Sequence, residues 1–170
     1  MTSGTSTKTL EEHIEVAAPA AEAFDAVADV HRMARRSPEC FATVVLRKRN
    51  GLPAKFLGFN RNKWHLWFSS CHVRVADPGR EFAFDVFALG FPVARWGYRF
   101  KPTAGGTEVT EYWVDQRTRG ADVLGRIFIG KIQNNRVELN RDGMRESLRR
   151  LKAELESGHS KGSLREQDKR

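Results

Sequence analysis

Six strand-like runs follow one another between residues 41 and 116, and this central block is what most limits how the chain can fold. The runs read FATVVLRK, AKFLGFNR, KWHLWFSSCHVRV, EFAFDVFAL, VARWGYRFK and TEVTEYWVDQ. Most of the joins between them are short and rich in turn residues, such as RNGLP, ADPGR and PTAGG. Short joins between successive strands favour antiparallel hairpins, so the block predicts an antiparallel meander.

The segments on either side of this block complete the fold class. One further strand precedes Pro19, and the sequence PAAEAFDAVADV after it has helical spacing with proline in the first turn. A short second helix is predicted around 31–36, where SPE ends it. A long segment without proline, 121–157, predicts a final helix that ends near Gly158. We therefore expect an α+β protein with a curved antiparallel sheet of about seven strands.

The predicted final helix carries two apolar stripes on nearly opposite faces. The first consists of Leu124, Phe128, Ile132, Asn135 and Leu139. The second consists of Val137, Met144, Leu148, Leu151 and Leu155. Either the helix is kinked near Gly143 or its two halves contact different surfaces, and the sequence leaves both alternatives open.

The length and composition indicate one globular domain. The chain has 170 residues, of which 40% are hydrophobic, and contains no apolar stretch of about 20 residues. We predict a flexible N-terminus over 1–6, a single domain over 7–157 and a flexible basic tail over 158–170. The start of the chain lacks an apolar run, so we expect a cytoplasmic protein. Cys40 and Cys71 are then reduced thiols, and we predict no metal site and no cofactor.

The formal net charge of +8 permits an acidic partner such as nucleic acid or an anionic membrane. The basic residues are scattered, however, and many lie in RDGMRESLRRLK and in the C-terminal tail. A solvated helix face together with a basic tail explains them at least as well. We therefore rank nucleic-acid binding last and leave contact with a membrane surface open.

Several segments, taken in order, resemble one protein family. They are IEVAAPAAEAFDAVADVHRM, SPEC, GFNR, CHVRVADPGREFAFDV, ARWGYRF and GGTEVTEYW. Together they resemble the polyketide cyclase/dehydrase-like branch of the SRPBCC superfamily, which includes START lipid-transfer domains and the birch pollen allergen. The resemblance runs from Thr7 to Leu155. It implies a helix-grip fold, in which a curved sheet wraps around a long C-terminal helix and encloses a cavity for a hydrophobic ligand.

One corner of the sequence departs from the pattern that this resemblance implies. An aromatic residue is expected just before SPE, but the chain has Arg35 and Arg36 there. Nearby, Asn60 and Arg61 lie within reach of Glu39, and a surface salt bridge is our preferred interpretation of them.

Alternation along the strands selects the candidate ligand-binding residues, because every second side chain points to the same face of a sheet. The candidates are Trp67, Phe84, Trp96, Tyr98, Val109 and Trp113 on the strands and Asn135 on the final helix. For any single aromatic residue, plain core packing remains the alternative.

Glu111 stands between Val109 and Trp113 on what the alternation predicts to be the buried face. A carboxylate in a dry core costs several kcal/mol, whereas a cavity reduces that cost. Glu111 could bond there to water, to Tyr98 or to an arginine, and a raised pKa would suit it as a general acid or base. Alternatively, Glu111 faces solvent and pairs with Arg95 or Arg99.

The sequence therefore predicts a protein that binds a small hydrophobic or aromatic molecule, polyketide-like or lipid-like, in an internal cavity. The alternative is an aromatase/cyclase or dehydratase that acts on a polyketide-like substrate with Glu111 as the catalytic acid or base. No dinucleotide, P-loop or nucleophile-elbow motif is present, and the five histidines form no recognisable catalytic arrangement.

Overall fold

The structure, a computed structural model, describes residues 8–62, 64–117 and 136–167. The chain begins with one strand and two short helices, continues through six strands and ends in a long helix. In chain order the elements are β1 (Thr9–Val16), α1 (Ala20–Ala28), α2 (Val30–Arg36), β2 (Cys40–Arg49), β3 (Leu52–Asn62), β4 (His65–Asp77), β5 (Glu81–Ala88), β6 (Phe91–Thr103), β7 (Gly106–Asp115) and α3 (Arg136–Gln167).

All seven strands form one antiparallel sheet in the order β1-β7-β6-β5-β4-β3-β2. Strands β2 to β7 are connected as successive hairpins, as the short joins predict, and β1 pairs with β7. The sheet curves around the C-terminal helix, which confirms the α+β helix-grip architecture. The two edges of the sheet are β1 and β2.

The two short helices start and stop for local reasons. Pro19 precedes α1 with a φ of −61°, which suits a helix start because proline lacks the N–H that would be left unpaired there. The side chain of Asp29 caps α2 by accepting hydrogen bonds from the backbone N–H groups of His31 and Arg32. Ser37 ends α2 because the following residue is Pro38.

The main core lies between the concave face of the sheet, α1 and α3. Phe24 of α1 packs edge-to-face on Phe82 and Phe100, with ring centroids 6.1 and 5.9 Å apart. From α3, Leu151 and Leu155 are buried against the same cluster. This packing fixes the position of α3 over one end of the sheet and leaves the other end for the cavity described below.

The final helix differs from its prediction at its C-terminal end. It continues to Gln167 instead of ending near Gly158, since no proline follows and glycine alone lowers helix stability by only about 1 kcal/mol. It runs through Gly143 as one helix, and Met144, Leu148, Leu151 and Leu155 are buried as the second stripe predicts. In the first stripe, Leu139 is exposed, whereas Leu124, Phe128, Ile132 and Asn135 lie outside the described residues. The domain boundaries and the flexible ends stay predictions.

The pairing of β6 with β7 fixes which side chains face inward. Gly97 is paired with Tyr112, and the tyrosine ring lies so close that a Cβ on Gly97 would be 2.1 Å from its Cζ. Tyr112 also donates its hydroxyl hydrogen bond to Glu81 of β5 at 2.7 Å. Tyr112 therefore covers the outer face of the sheet, and the next side chain back along the strand, Glu111, points inward.

No helix in the described part of the chain is long and apolar enough to cross a membrane.

Candidate functional site

A cavity of about 770 Å³ lies between the concave face of the sheet and helices α2 and α3. Its volume is within the range that small-molecule sites occupy. Aromatic side chains from five strands form much of its wall: Phe56, Trp67, Phe84, Trp96, Tyr98 and Trp113. Within this wall, Trp113, Trp96 and Phe84 are direct neighbours on β7, β6 and β5. The row is a consequence of strand alternation, because each of the three occupies an inward position in register with the next.

Most of the predicted ligand-binding residues line this cavity. Val109 does not: it is fully buried in the main core with Val16 and Phe100, apart from the residues that line the cavity. The reason is position along β7, because Val109 lies two residues from Glu111, on the side where α1 and α3 close over the sheet. Asn135 lies outside the described residues, and its role stays a prediction.

Glu111 is buried in the cavity wall with only 3% of its surface exposed. The hydroxyl of Tyr98, its direct neighbour on β6, donates a hydrogen bond of 2.8 Å to Oε1 of Glu111. The other oxygen, Oε2, is buried and has no hydrogen-bond partner within the described part of the chain. The solvent-facing alternative is wrong, because Arg95 pairs with Asp85 and Arg99 with Glu11 on the outer face.

Burial raises the pKa of Glu111 to about 8, even though the Tyr98 hydrogen bond and the positive charge of Arg36 act in the opposite direction. The carboxyl group is therefore mostly neutral at neutral pH. Because Tyr98 donates to Oε1, the proton on a neutral Glu111 is best placed on the other oxygen, Oε2. The site then offers a hydrogen-bond donor to whatever occupies the cavity.

Arg36 is a cavity residue that sequence reasoning did not assign. Its guanidinium is buried and donates to Oε2 of Glu154 and to the carbonyl oxygen of Ala26, both at 2.6 Å. Glu154 also pairs with Arg32, so this corner carries two arginines for one glutamate. The signal was present in the sequence, because Arg36 stands where the family resemblance implies an aromatic residue. A cation thus lines the cavity beside α3.

A second polar group lies on β3 and β4. Asn60 donates from Nδ2 to the hydroxyl of Ser69 and to the carbonyl of Gly58, each at 3.2 Å. A side chain at position 58 would crowd this pair, since a Cβ on Gly58 would sit 3.3 Å from the Ser69 oxygen. The backbone N–H of Arg61 donates a hydrogen bond to the backbone carbonyl oxygen of Glu39.

The two cysteines line the same region of the cavity. Burial raises the pKa of Cys40 to about 11 and that of Cys71 to about 12, so both remain neutral thiols rather than nucleophilic thiolates. They act there as small, weakly polar wall residues. Among the residues that the structure describes, no group of His, Cys, Asp and Glu side chains is arranged to hold a metal ion.

Comparison with known protein families identifies the family to which this chain is similar. Residues 7–156 match the family described as "Polyketide cyclase / dehydrase and lipid transport". The chain belongs to this family. No functionally curated protein matches the sequence.

Solved structures with the same fold include two aromatase/cyclases. One is the di-domain protein StfQ from the steffimycin biosynthetic pathway, with 16% identity and a TM-score of 0.68 over 91% of this chain. The chain spans about half, 52%, of that protein. The other is the Zhui aromatase/cyclase from a Streptomyces species, with 17% identity, a TM-score of 0.65 and coverage of 88% of this chain and 94% of that one. At these identities the likeness shows a shared fold.

A third structure is more similar in sequence. It is the solution structure of a polyketide-cyclase-like protein from Corynebacterium glutamicum, with 26% identity and a TM-score of 0.51. The match covers 89% of this chain and 93% of that one. Together with the family match, these structures confirm the resemblance to the SRPBCC superfamily that the sequence motifs carry.

Proposed function

We propose that this polyketide cyclase/dehydrase family member binds a small, mostly apolar molecule whose acceptor oxygen receives a hydrogen bond from Glu111. The row of Trp113, Trp96 and Phe84 offers such a molecule a broad aromatic wall. Aromatic walls with a few placed polar groups are typical of sites for small hydrophobic ligands. A carbonyl oxygen is the simplest acceptor that an otherwise apolar ligand can present.

The observation that carries the proposal is Oε2 of Glu111, which has no hydrogen-bond partner among the residues that the structure describes. A buried polar atom without a partner costs about 1–3 kcal/mol. Glu111 lines the cavity, so a bound molecule can supply the missing partner. Tyr98 fixes the orientation of the carboxyl group through Oε1, which leaves Oε2 as the contact point.

Blocking the cavity from the helix side is expected to abolish ligand binding. Ser147 of α3 lines the cavity, so Ser147→Trp places an indole in the space that a ligand would occupy. N-phenylnaphthylamine, a neutral apolar dye, serves as the probe, read by energy transfer from the cavity tryptophans. We expect at least about a tenfold loss of dye affinity, since filling the space forfeits several buried contacts.

The tryptophan distribution provides the controls. Trp67, Trp96 and Trp113 line the cavity, whereas Trp64 is 95% exposed, so all measurements use a Trp64→Phe background to remove the surface signal. Arg149→Trp adds the same side chain on the solvent side of the same helix. Equal dye affinity in the Ser147 and Arg149 variants would contradict binding in the cavity. Native mass spectrometry of the protein from its own host then identifies a molecule that wild type retains and Ser147→Trp loses.

A second candidate function is proton transfer in an aromatase/cyclase or dehydratase reaction. It is favoured by the pKa of about 8 for Glu111, because a group that titrates near neutral pH can both accept and donate a proton. In its ionised form, Oε2 would remove a proton from the carbon next to a ligand carbonyl, which leaves the enolate. The neutral carboxyl would then return the proton to carbon or to oxygen.

Deuterium exchange tests this candidate directly. β-Tetralone in deuterium oxide exchanges its enolisable hydrogens, which NMR follows. If Glu111 transfers the proton, Glu111→Gln is expected to lower the protein-catalysed exchange by about a hundredfold or more. Dye affinity should stay within about twofold, because Gln still accepts from Tyr98 and still donates into the cavity. Glu108→Gln on the same strand is the matched control, and exchange that is equal in all three proteins would exclude the enzymatic role.

A further inference from the structure

Strands β2, β3 and β4 expose an unusual number of large apolar side chains. Trp64, in the turn between β3 and β4, is 95% exposed. We call the following set the outer β2–β4 surface: Phe41, Val44, Leu46, Trp64, Leu66 and Phe68, all of them exposed. The pairs Val44–Leu57 and Phe59–Phe68 join these side chains across the strands. The patch is therefore continuous across three strands and ends at the open edge strand β2.

The same three strands hold nearly all of the excess positive charge. Between Cys40 and Ala76 the sequence contains no Asp or Glu, although the chain has 21 of them. Seven of the 29 Lys and Arg residues fall in this segment, and the net charge of the whole chain is +8. They are Arg47, Lys48, Arg49, Lys55, Arg61, Lys63 and Arg74. A solvated face of the last helix and a basic tail therefore do not account for the excess charge, and this acid-free segment does.

Several basic residues elsewhere in the described part of the chain are held in ion pairs with acids. Glu154 binds two arginines of α2, Glu12 binds two of α3, and Glu146 binds two more. On the outer β2–β4 surface, by contrast, Arg61 lies over the ring of Phe41, 5.9 Å from its centre. Arg47, Lys48 and Arg49 make no ion pair within residues 8–62, 64–117 and 136–157. Arg74, at the border with β5, is held by Asp85.

We propose that the outer β2–β4 surface docks on an anionic lipid bilayer. A bilayer interface accepts exposed aliphatic and aromatic side chains, tryptophan above all, and its anionic headgroups attract nearby Lys and Arg. A single nucleic-acid strand would need flat rings for its bases to stack on. Phe41, Trp64 and Phe68 carry rings, but they are mixed with the aliphatic Val44, Leu46 and Leu66. A mixed aliphatic and aromatic surface fits a lipid interface better than a platform for stacked bases.

The position of this surface relative to the cavity gives docking a consequence. Arg61, Leu66 and Phe68 also line the cavity, so the patch and the cavity share a rim at the β3–β4 hairpin. Docking would bring this rim to the lipid headgroups, where an apolar ligand could pass between membrane and cavity without crossing water. The docking itself does not require a ligand, so its test is independent of the cavity.

Cosedimentation with vesicles tests the proposal on the full chain. We expect binding to vesicles of phosphatidylcholine mixed with phosphatidylglycerol, weak binding to phosphatidylcholine alone, and a loss of binding as salt rises. Arg47→Glu combined with Arg49→Glu should lower the partition coefficient by roughly tenfold or more, because each basic residue near the surface contributes severalfold. Phe41→Ser combined with Trp64→Ser should lower it by a similar factor through lost insertion.

A charge-matched variant separates docking from general attraction. Arg80→Glu combined with Lys101→Glu makes the same change in net charge on exposed residues of the β4–β5 turn and β6, away from this surface. It should bind vesicles within about twofold of wild type, and equal losses in the two charge variants would overturn the proposal. Tighter binding to a single-stranded oligonucleotide at equal salt, with displacement from vesicles, would also overturn it. A stable dimer that dissociates when Phe41 and Trp64 are changed to Ser would overturn the proposal as well.

Discussion

Glu111→Gln is expected to raise the free energy of unfolding, and to raise it more near pH 8 than near pH 5. Burial lifts the pKa of Glu111 from 4.5 to about 8. Between these values the unfolded chain has lost the proton, while the folded chain keeps it. Folding then takes up a proton, so wild-type stability falls as pH rises through this window, by about 1.4 kcal/mol for each pH unit. Below the window both states are protonated, and the penalty disappears.

Glutamine does not ionise, so the variant escapes this penalty while it keeps the hydrogen bond from Tyr98. The gain near pH 8 should reach several kcal/mol, of the order of 4, and should shrink towards pH 5. Urea denaturation of both proteins across this range measures it. Glu108→Gln, which removes a less buried carboxylate from the same strand, corrects for effects of net charge. Parallel pH profiles for wild type and Glu111→Gln would show that Glu111 ionises at its ordinary pH and is not buried as described.

Gly106→Ala is expected to destabilise the fold by about 3 kcal/mol or more, and it tests the closure of the sheet. Gly106 begins β7 with a φ of +145°, a conformation that side chains rarely allow. A Cβ there would lie 2.1 Å from the carbonyl oxygen of Val16 and 3.0 Å from Cα of Ala17. Both atoms belong to the backbone and cannot simply move aside. The start of β7 would therefore have to separate from the end of β1, where the Thr107 hydroxyl donates a hydrogen bond to the carbonyl oxygen of Ala18.

The neighbouring glycine provides the matched control. A Cβ on Gly105 would meet only the side chain of Glu15, 3.0 Å from its Oε1, and this flexible carboxylate can move away. Gly105→Ala should therefore cost less than about 1 kcal/mol. Denaturant midpoints of the two variants give the comparison. Equal, small losses would mean that β1 and β7 do not approach as closely as the structure has them.

The strands were the most predictable part of this protein. Most runs between residues 41 and 116 combine strand-forming residues with turn signals beside them, and such local information is enough to place hairpins. Period-two alternation also assigned Trp96, Tyr98 and Trp113 to the concave face. The same argument placed Glu111 there against its polarity, and the register of β6 with β7 bears this out.

Val109 and Arg36 differ most from what the sequence predicts, because their surroundings depend on position along the strand and on helix packing. Val109 and Glu111 share a face of β7, but only Glu111 reaches the cavity, because α1 and α3 cover the sheet at Val109. The sequence shows Arg36 only as a departure from the family pattern. Its role in the cavity wall does not follow from the sequence, because its partners Ala26 and Glu154 lie on other helices. Such contacts depend on how helices pack, and no local sequence pattern predicts this packing.

The sequence by itself determined the order of strands and helices, the hairpin connections and the inward direction of Trp96, Tyr98 and Trp113. These follow from local propensities and from the two-residue period of a strand. Only the tertiary structure decided that Oε2 of Glu111 has no partner in the described part of the chain, that a buried arginine joins the wall, and that acid-free strands gather into one surface. Each of these depends on groups far apart in the chain, and their energies arise only when folding removes the water between them.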